Sequence, residues 1–184
     1  MATKKASKEP LVRCNGTMTE SAWLAWVRSA LRSKSLRWPP RGEALKLARR
    51  KYVGTNKMQK WEYQCALCSE WQLAKNCNVD HHPVAAGSIL SVQDIGNFAN
   101  NLFCETDNLR VLCSDCHKVH TLSEKKGISF IEAAIEKQVI EKCKLPIPKQ
   151  VALLSGYGYN ACSNAAKRKA AWREIINKES VCIK

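Results

Sequence analysis

All four histidines of this chain, His81, His82, His117 and His120, fall within one forty-residue window. Two Cys-x-x-Cys pairs, Cys65/Cys68 and Cys113/Cys116, precede the two halves of that window. Four thiolates presented as two tight turns suit zinc, which closes a tetrahedral sulfur shell in structural sites. The knuckles lie far apart in sequence, so the ion would clamp the start of the segment to its end and contribute folding free energy. Cys77 and Cys104 have no Cys-x-x-Cys partner and would serve only if one of the four failed. Asp80, His81, Asn108 and His117 are surplus to a closed four-sulfur site. They offer carboxylate, imidazole and amide groups, a set suited to an open divalent site that keeps water positions for a substrate. A neighbouring imidazole could then deprotonate an attacking water.

These residues must be positioned by local elements. Thr19 is a good helix N-cap with Glu20 in the first turn. Trp23, Val27, Ala30 and Leu31 form one apolar face of the helix that follows, and Pro39-Pro40 stops it. A second helix is expected over roughly 42–52, carrying Lys46, Arg49, Arg50 and Lys51. Residues 61–80 read as a short two-stranded element around the first knuckle, ending in the strand Asn78-Val79-Asp80. Residues 83–88 read as loop. Ser91 with Asp94 makes a variant capping box for a helix over about 92–103. Leu109–Leu112 leads into the second knuckle, and helix resumes at about 114–123. Ser129 with Glu132 is another capping box, opening a helix over about 130–143. Pro146 and Pro148 predict a linker, followed by two short helices on either side of Gly156-Tyr157-Gly158. That pair is either a helix-turn-helix reader or a plain packing hairpin.

The segments VDHHPVAAG and DNLRVLCSDCHKVHT resemble the HNH nuclease motif in its zinc-stabilised form with two Cys-x-x-Cys knuckles. The match spans about residues 61–122, with the Asp-His pair, the Asn-Leu and the Cys-x-x-Cys-His in order. The resemblance implies an α+β fold with a small ββα-metal core, two strands and a helix around one catalytic ion, Mg²⁺ or Mn²⁺. It implies that Asp80 is a metal ligand, His81 the general base and His117 the second ligand. Asn108 would brace the loop that presents His81. The family has an apolar residue where this chain has His82. Strand alternation would put Asp80 and His82 on one face, which makes His82 the alternative base. His120, one turn after His117, is a third ligand, a phosphate contact or an exposed bystander.

Lys and Arg total 30 against 16 acids, a formal net charge of +14. Residues 1–60 carry 15 Lys/Arg and 3 acids, residues 61–120 carry 3 and 7, and residues 121–184 carry 12 and 6. A mildly acidic centre that suits a cation therefore sits between two basic arms that suit a polyanion. The expected organisation is a disordered basic tail over 1–18 and a helical, basic, DNA-contacting region over 19–60. The zinc-clamped ββα-metal module occupies 61–123, and a helical C-terminal region occupies 124–184. Candidate DNA contacts are Arg49, Arg50 and Lys51 in the first arm and Lys167, Arg168 and Lys169 in the second. The N-terminus has no apolar signal core and no apolar run approaches a membrane span, so the expectation is a reducing cytoplasm, that of a host cell if the chain is phage-encoded. The resemblance implies hydrolysis of double-stranded DNA, by a monomer or a homodimer. Small size, basic arms and a solitary module resemble free-standing bacteriophage homing endonucleases. The alternatives are an HNH nuclease of genome packaging or defence, and a non-catalytic zinc-knuckle DNA-binding protein.

Overall fold

The computed structural model describes residues 9–83, 87–160 and 162–181. It is a mixed structure of helices and three small antiparallel sheets. The chain divides into two compact units, the first ending at Ser114 and the second beginning at Asp115.

The first unit opens with a hairpin of β1 (Leu11–Arg13) and β2 (Met18–Thr19). Part of the tail expected to be disordered is thus ordered; residues 1–8 lie outside the described residues. The hairpin is held on the following helix by Arg13, which pairs with Glu20 at 2.5 Å and stacks on Trp23 at 4.2 Å. The N-cap at Thr19 is as expected: its side chain accepts from the Ala22 N–H, opening α1 (Glu20–Ser35). The buried apolar residue of α1 is Leu24, flanked by Trp23, Val27 and Leu31, while Ala30 stays exposed. These side chains pack on Phe98 and Leu102 of α3 (Asp94–Leu102). Asp94 reaches back to the backbone N–H groups of Leu90 and Ser91, the reverse half of a capping box.

Two expectations for the first arm are corrected. Pro39-Pro40 does not merely stop a helix; it begins α2 (Pro39–Leu47), since proline suits a first turn whose N–H groups lack partners anyway. That helix ends before Arg49, and Arg49–Lys51 is the strand β3. Tertiary pairing overrides helix propensity here: Arg49, Arg50 and Lys51 sit opposite Tyr63, Glu62 and Trp61 of β4 (Trp61–Gln64). β5 (Trp71–Leu73) completes this sheet on the other side of β4. A third sheet pairs β6 (Cys77–His81) and β7 (Leu109–Cys113) antiparallel, from Cys77↔Cys113 to His81↔Leu109. One face of the pair packs Val79 and Val111 on Ala44 of α2.

The second unit contains most of α4 (Ser114–Lys126), then α5 (Phe130–Cys143), α6 (Ile147–Gly156) and α7 (Ala165–Val181). Gly127 ends α4 at φ +63°, and the Ile128 N–H returns to the Ser123 carbonyl at 3.2 Å, a Schellman closure. A Cβ at Gly127 would meet nothing within 4 Å, so Gly127→Ala should cost only the left-handed backbone penalty, about 1–2 kcal/mol. A thermal melt unchanged by that substitution would refute this account of the helix stop. The capping box at Ser129 and Glu132 is present in both directions. Residues 146–148 are not a linker: Pro148 lies inside the first turn of α6. α5, α6 and α7 share a core of Val139, Leu154, Ala171, Trp172, Ile175 and Ile176.

Glu136 stands in the same α5 stripe as the buried Ala133 and Val139 and is itself buried, under Lys126, Lys169 and Arg173. Hydrogen bonds from Lys126 and Lys169, and then from Arg173, outweigh the cost of burial and hold its carboxyl down to about 2. The sign follows from a folded value below the ordinary 4.5: the stabilisation is complete above about 4.5 and is lost as pH falls towards 2. The cations are 40 to 48% exposed, so solvent screening limits the effect to about 1–2 kcal/mol. Thermal melts should show wild type losing that much more than Glu136→Gln between pH 5 and pH 2.5; parallel losses would contradict the assignment.

Candidate functional site

The first knuckle is a tight turn built from backbone hydrogen bonds. Cys65 N–H donates to Glu70, Ser69 N–H donates back to Cys65, and Ala66 N–H donates to Val111 on β7. Ser69 takes φ +61° to close the turn. These bonds bring the knuckle against the second one at the end of β7. The ligand atoms of Cys65, Cys68, Cys113 and Cys116 all lie within 4.8 Å of one another, and Cys68 Sγ is 4.0 Å from Cys113 Sγ. Sulfurs at the corners of a tetrahedral zinc site lie ~3.8 Å apart, given Zn–S bonds of ~2.3 Å. The four cysteines therefore fit a metal ion such as zinc, and they are the one such group of three or more ligands among the described residues. Burial pushes the Cys65 thiol up, but N–H groups of Cys113, Cys68 and Leu67 pointed at the sulfur bring it down to about 7. Such a donor set readies a thiolate for a cation. Burial, and then the charges of Cys113 and Cys65, push Cys77 up to about 11, which keeps it a thiol beside the cluster.

Asp80 lies on β6 opposite Arg110 of β7, and the guanidinium reaches its carboxylate at 3.3 Å through both Nε and Nη2. Both side chains are mostly buried, 14% and 16% exposed. A carboxylate is the donor type a hard divalent ion prefers. An ion at Asp80 would share it with Arg110 or displace that contact. Arg41 stands one helical turn before the buried Ala44 on α2, whose start is anchored by the Trp38 Nε1–H bond to the Cys104 carbonyl at 2.7 Å. Burial lowers its pKa, while the fields of Cys104 and Asp80 oppose the shift; an arginine remains charged regardless.

His81 ends β6, and its Nε2 lies 3.1 Å from the carbonyl oxygen of Leu102, the last residue of α3. A carbonyl can only accept, so Nε2 carries the proton. In the neutral ring Nδ1 is then a lone-pair acceptor, the form a general base needs. Asn108 closes a single 3-10 turn, Thr106–Asn108, and its carbonyl accepts the His82 N–H at 2.9 Å. That bond extends the ladder one residue beyond the His81↔Leu109 pair. Asn108 thus tethers the strand end that presents His81 through its backbone. The expected 83–88 loop falls partly on residues 84–86, outside the described residues. The His82 side chain is exposed. His117 lies on α4, where its carbonyl accepts the Thr121 hydroxyl at 2.9 Å. His120 Nδ1 lies 3.6 Å from Glu124, one turn further on.

The six candidate DNA contacts divide sharply. Arg49, Arg50 and Lys51 are all exposed on β3. Arg49 stacks on Trp61 at 4.1 Å; Arg50 stacks on Trp71 at 3.9 Å and pairs with Glu62 at 2.6 Å. Lys167 is exposed, but Arg168 is buried and donates to the carbonyls of Cys162 and Ser163, and Lys169 reaches Glu136. Arg168 thus serves the α6–α7 connection and is not presented to a ligand. Sequence reasoning missed Arg110, the Leu102 carbonyl and Arg41. The pairing of Asp80 with Arg110 follows once Cys77 is set opposite Cys113, but that register is a tertiary fact.

No family model matches this chain, and no curated protein or solved structure matches it. No helix among the described residues is long and apolar enough to cross a membrane.

Proposed function

We propose that this chain is a metal-dependent DNA endonuclease of the HNH type. The observation that carries the reading is His81, held at Nε2 by the Leu102 carbonyl so that Nδ1 is the basic nitrogen. With that tautomer the ring, at the end of β6 and next to Asp80 in the chain, keeps a basic nitrogen for a water. In the proposed reaction His81 Nδ1 takes a proton from water as the water oxygen bonds to phosphorus and the P–O3′ bond breaks, and the leaving O3′ is protonated by a solvent water. The products are a 5′-phosphate and a 3′-hydroxyl. Asp80 and His117 are the donors the resemblance assigns to a divalent ion, which would supply Lewis-acid stabilisation of the phosphate and the leaving oxygen. Arg41 adds positive charge on the Asp80 side. The four cysteines, holding zinc, would keep β7 and its knuckle in register with the first knuckle.

A formal charge of +14 supports a polyanionic substrate, and the exposed β3 cations suit phosphate contacts that position a duplex without reading it. The direct test is nicking of supercoiled plasmid with Mg²⁺ or Mn²⁺. Relaxed circles should accumulate with either ion and not in EDTA. Binding of DNA without nicking under any divalent ion would refute the enzyme reading and leave a zinc-knuckle binding protein.

A further inference from the structure

The second unit holds a cluster of charges that the nuclease chemistry does not use. Lys126 at the end of α4, and Lys169 and Arg173 one turn apart on α7, converge on the single carboxylate of Glu136 on α5. Lys126 Nζ and Lys169 Nζ both donate to the same oxygen, Oε1, at 2.8 and 2.9 Å. Two ammonium groups bonded to one oxygen are within ~6 Å of each other, a like-charge approach that one carboxylate only partly offsets. Arg173 donates to Oε2, so both oxygens of Glu136 are taken. The carboxylate is only 7% exposed, while the three cations keep 40, 43 and 48% of their side-chain surface open. Each lysine has three N–H donors and the guanidinium five, so most donors remain after Glu136 is satisfied. They line a cavity of about 440 Å³ whose other polar walls are Glu132 and Asn177. The Glu132 carboxylate is committed to the Ser129 backbone N–H in the capping box.

We propose that Lys126, Lys169 and Arg173, gathered by the buried Glu136, form a binding cup for a backbone phosphate of nucleic acid. A tetrahedral phosphate, with several acceptor oxygens and at least one negative charge, would bridge the crowded ammonium groups and relieve their repulsion. Glu136 is the positioning residue. It does not touch the phosphate, but it holds three flexible side chains in one place before the ligand arrives, which lowers the ordering cost of binding. The excess of positive charge over the C-terminal arm makes a polyanion the natural source of that phosphate.

The cup rests on the DNA substrate of the proposed function but not on its chemistry, and binding measured in EDTA separates the two. The test is fluorescence anisotropy of the full chain with a labelled duplex across a chloride titration. Lys126→Gln/Lys169→Gln removes two charges from the cup, while each glutamine can still donate to Glu136. Lys144→Gln/Lys178→Gln removes two charges from lysines of the same unit that pair with Glu141 and Glu174. The cup variant should weaken binding about five- to tenfold near 0.1 M salt and lower the slope of log K against log salt by about 1. The control should change affinity less than twofold. Equal losses in the two variants would reduce the effect to net charge and overturn the cup, as would a cup variant that binds like wild type. A second arm measures thermal stabilisation by inorganic phosphate at matched ionic strength. If phosphate stabilises wild type alone while both chains bind DNA equally, the nucleic-acid assignment is overturned. A wild type that binds as expected but never nicks leaves the cup standing and refutes the nuclease.

Discussion

Cys65→Ser should release the metal and unfold the segment it clamps, the largest effect expected of any single substitution. Cys65 is 1% exposed, at the junction of the first knuckle, β7 and the three other sulfurs. Replacing one thiolate leaves a coordination shell that no longer closes. The metal's contribution to folding is of order 10 kcal/mol in small zinc-held domains, comparable with the whole stability of a domain. Wild type should carry one zinc per chain by atomic emission, and Cys65→Ser close to none, with loss of its cooperative melt. A strong chelator should reproduce the variant in the wild-type chain. Cys77→Ser is the companion: its thiol is kept protonated, so zinc content should not change. If Cys65→Ser melted normally without zinc, the four cysteines would not be a structural site.

His81→Ala should abolish most nicking while leaving DNA binding within about twofold. Loss of a positioned general base costs about 10² to 10⁴ in rate. The substitution removes a half-buried ring and one hydrogen bond, so the fold should survive with about 1–2 kcal/mol less stability. His82→Ala is the discriminating partner. Its ring is exposed, and its tie to Asn108 runs through the backbone, which the substitution preserves. It should nick within about tenfold of wild type. A larger loss at His82 than at His81 would transfer the role of base to His82. Equal activity of wild type and His81→Ala, with zinc and DNA binding intact, would remove the proposed mechanism altogether.

The four-cysteine cluster is the part of the site most legible from sequence. Each Cys-x-x-Cys knuckle is local, four residues that make one turn, so spacing alone names its ligands. The helix start signals at Thr19 and at Ser129 with Glu132 were legible for the same reason, since a cap acts within three residues. Periodicity places Arg49–Lys51 in a helix because it cannot see a strand partner 10 to 14 residues on. Glu136 left a readable trace, an acid at i+3 from Ala133 and i−3 from Val139 in a buried stripe. That the stripe is buried, and which three cations cover the acid, were decided by the packing of α5 on α7.

By itself the sequence determined the knuckles, the caps, the division of charge between centre and arms, and the order of donor residues along the motif. Each of these is set by residue identity over a few positions. Only the tertiary structure decided that Asp80 faces Arg110, that His81 is braced by the Leu102 carbonyl, that Arg168 turns inward, and that Lys126, Lys169 and Arg173 meet on Glu136. Those contacts join residues from 5 to 37 positions apart in the chain. They depend on strand register and helix packing, in which a one-residue slip would exchange every partner.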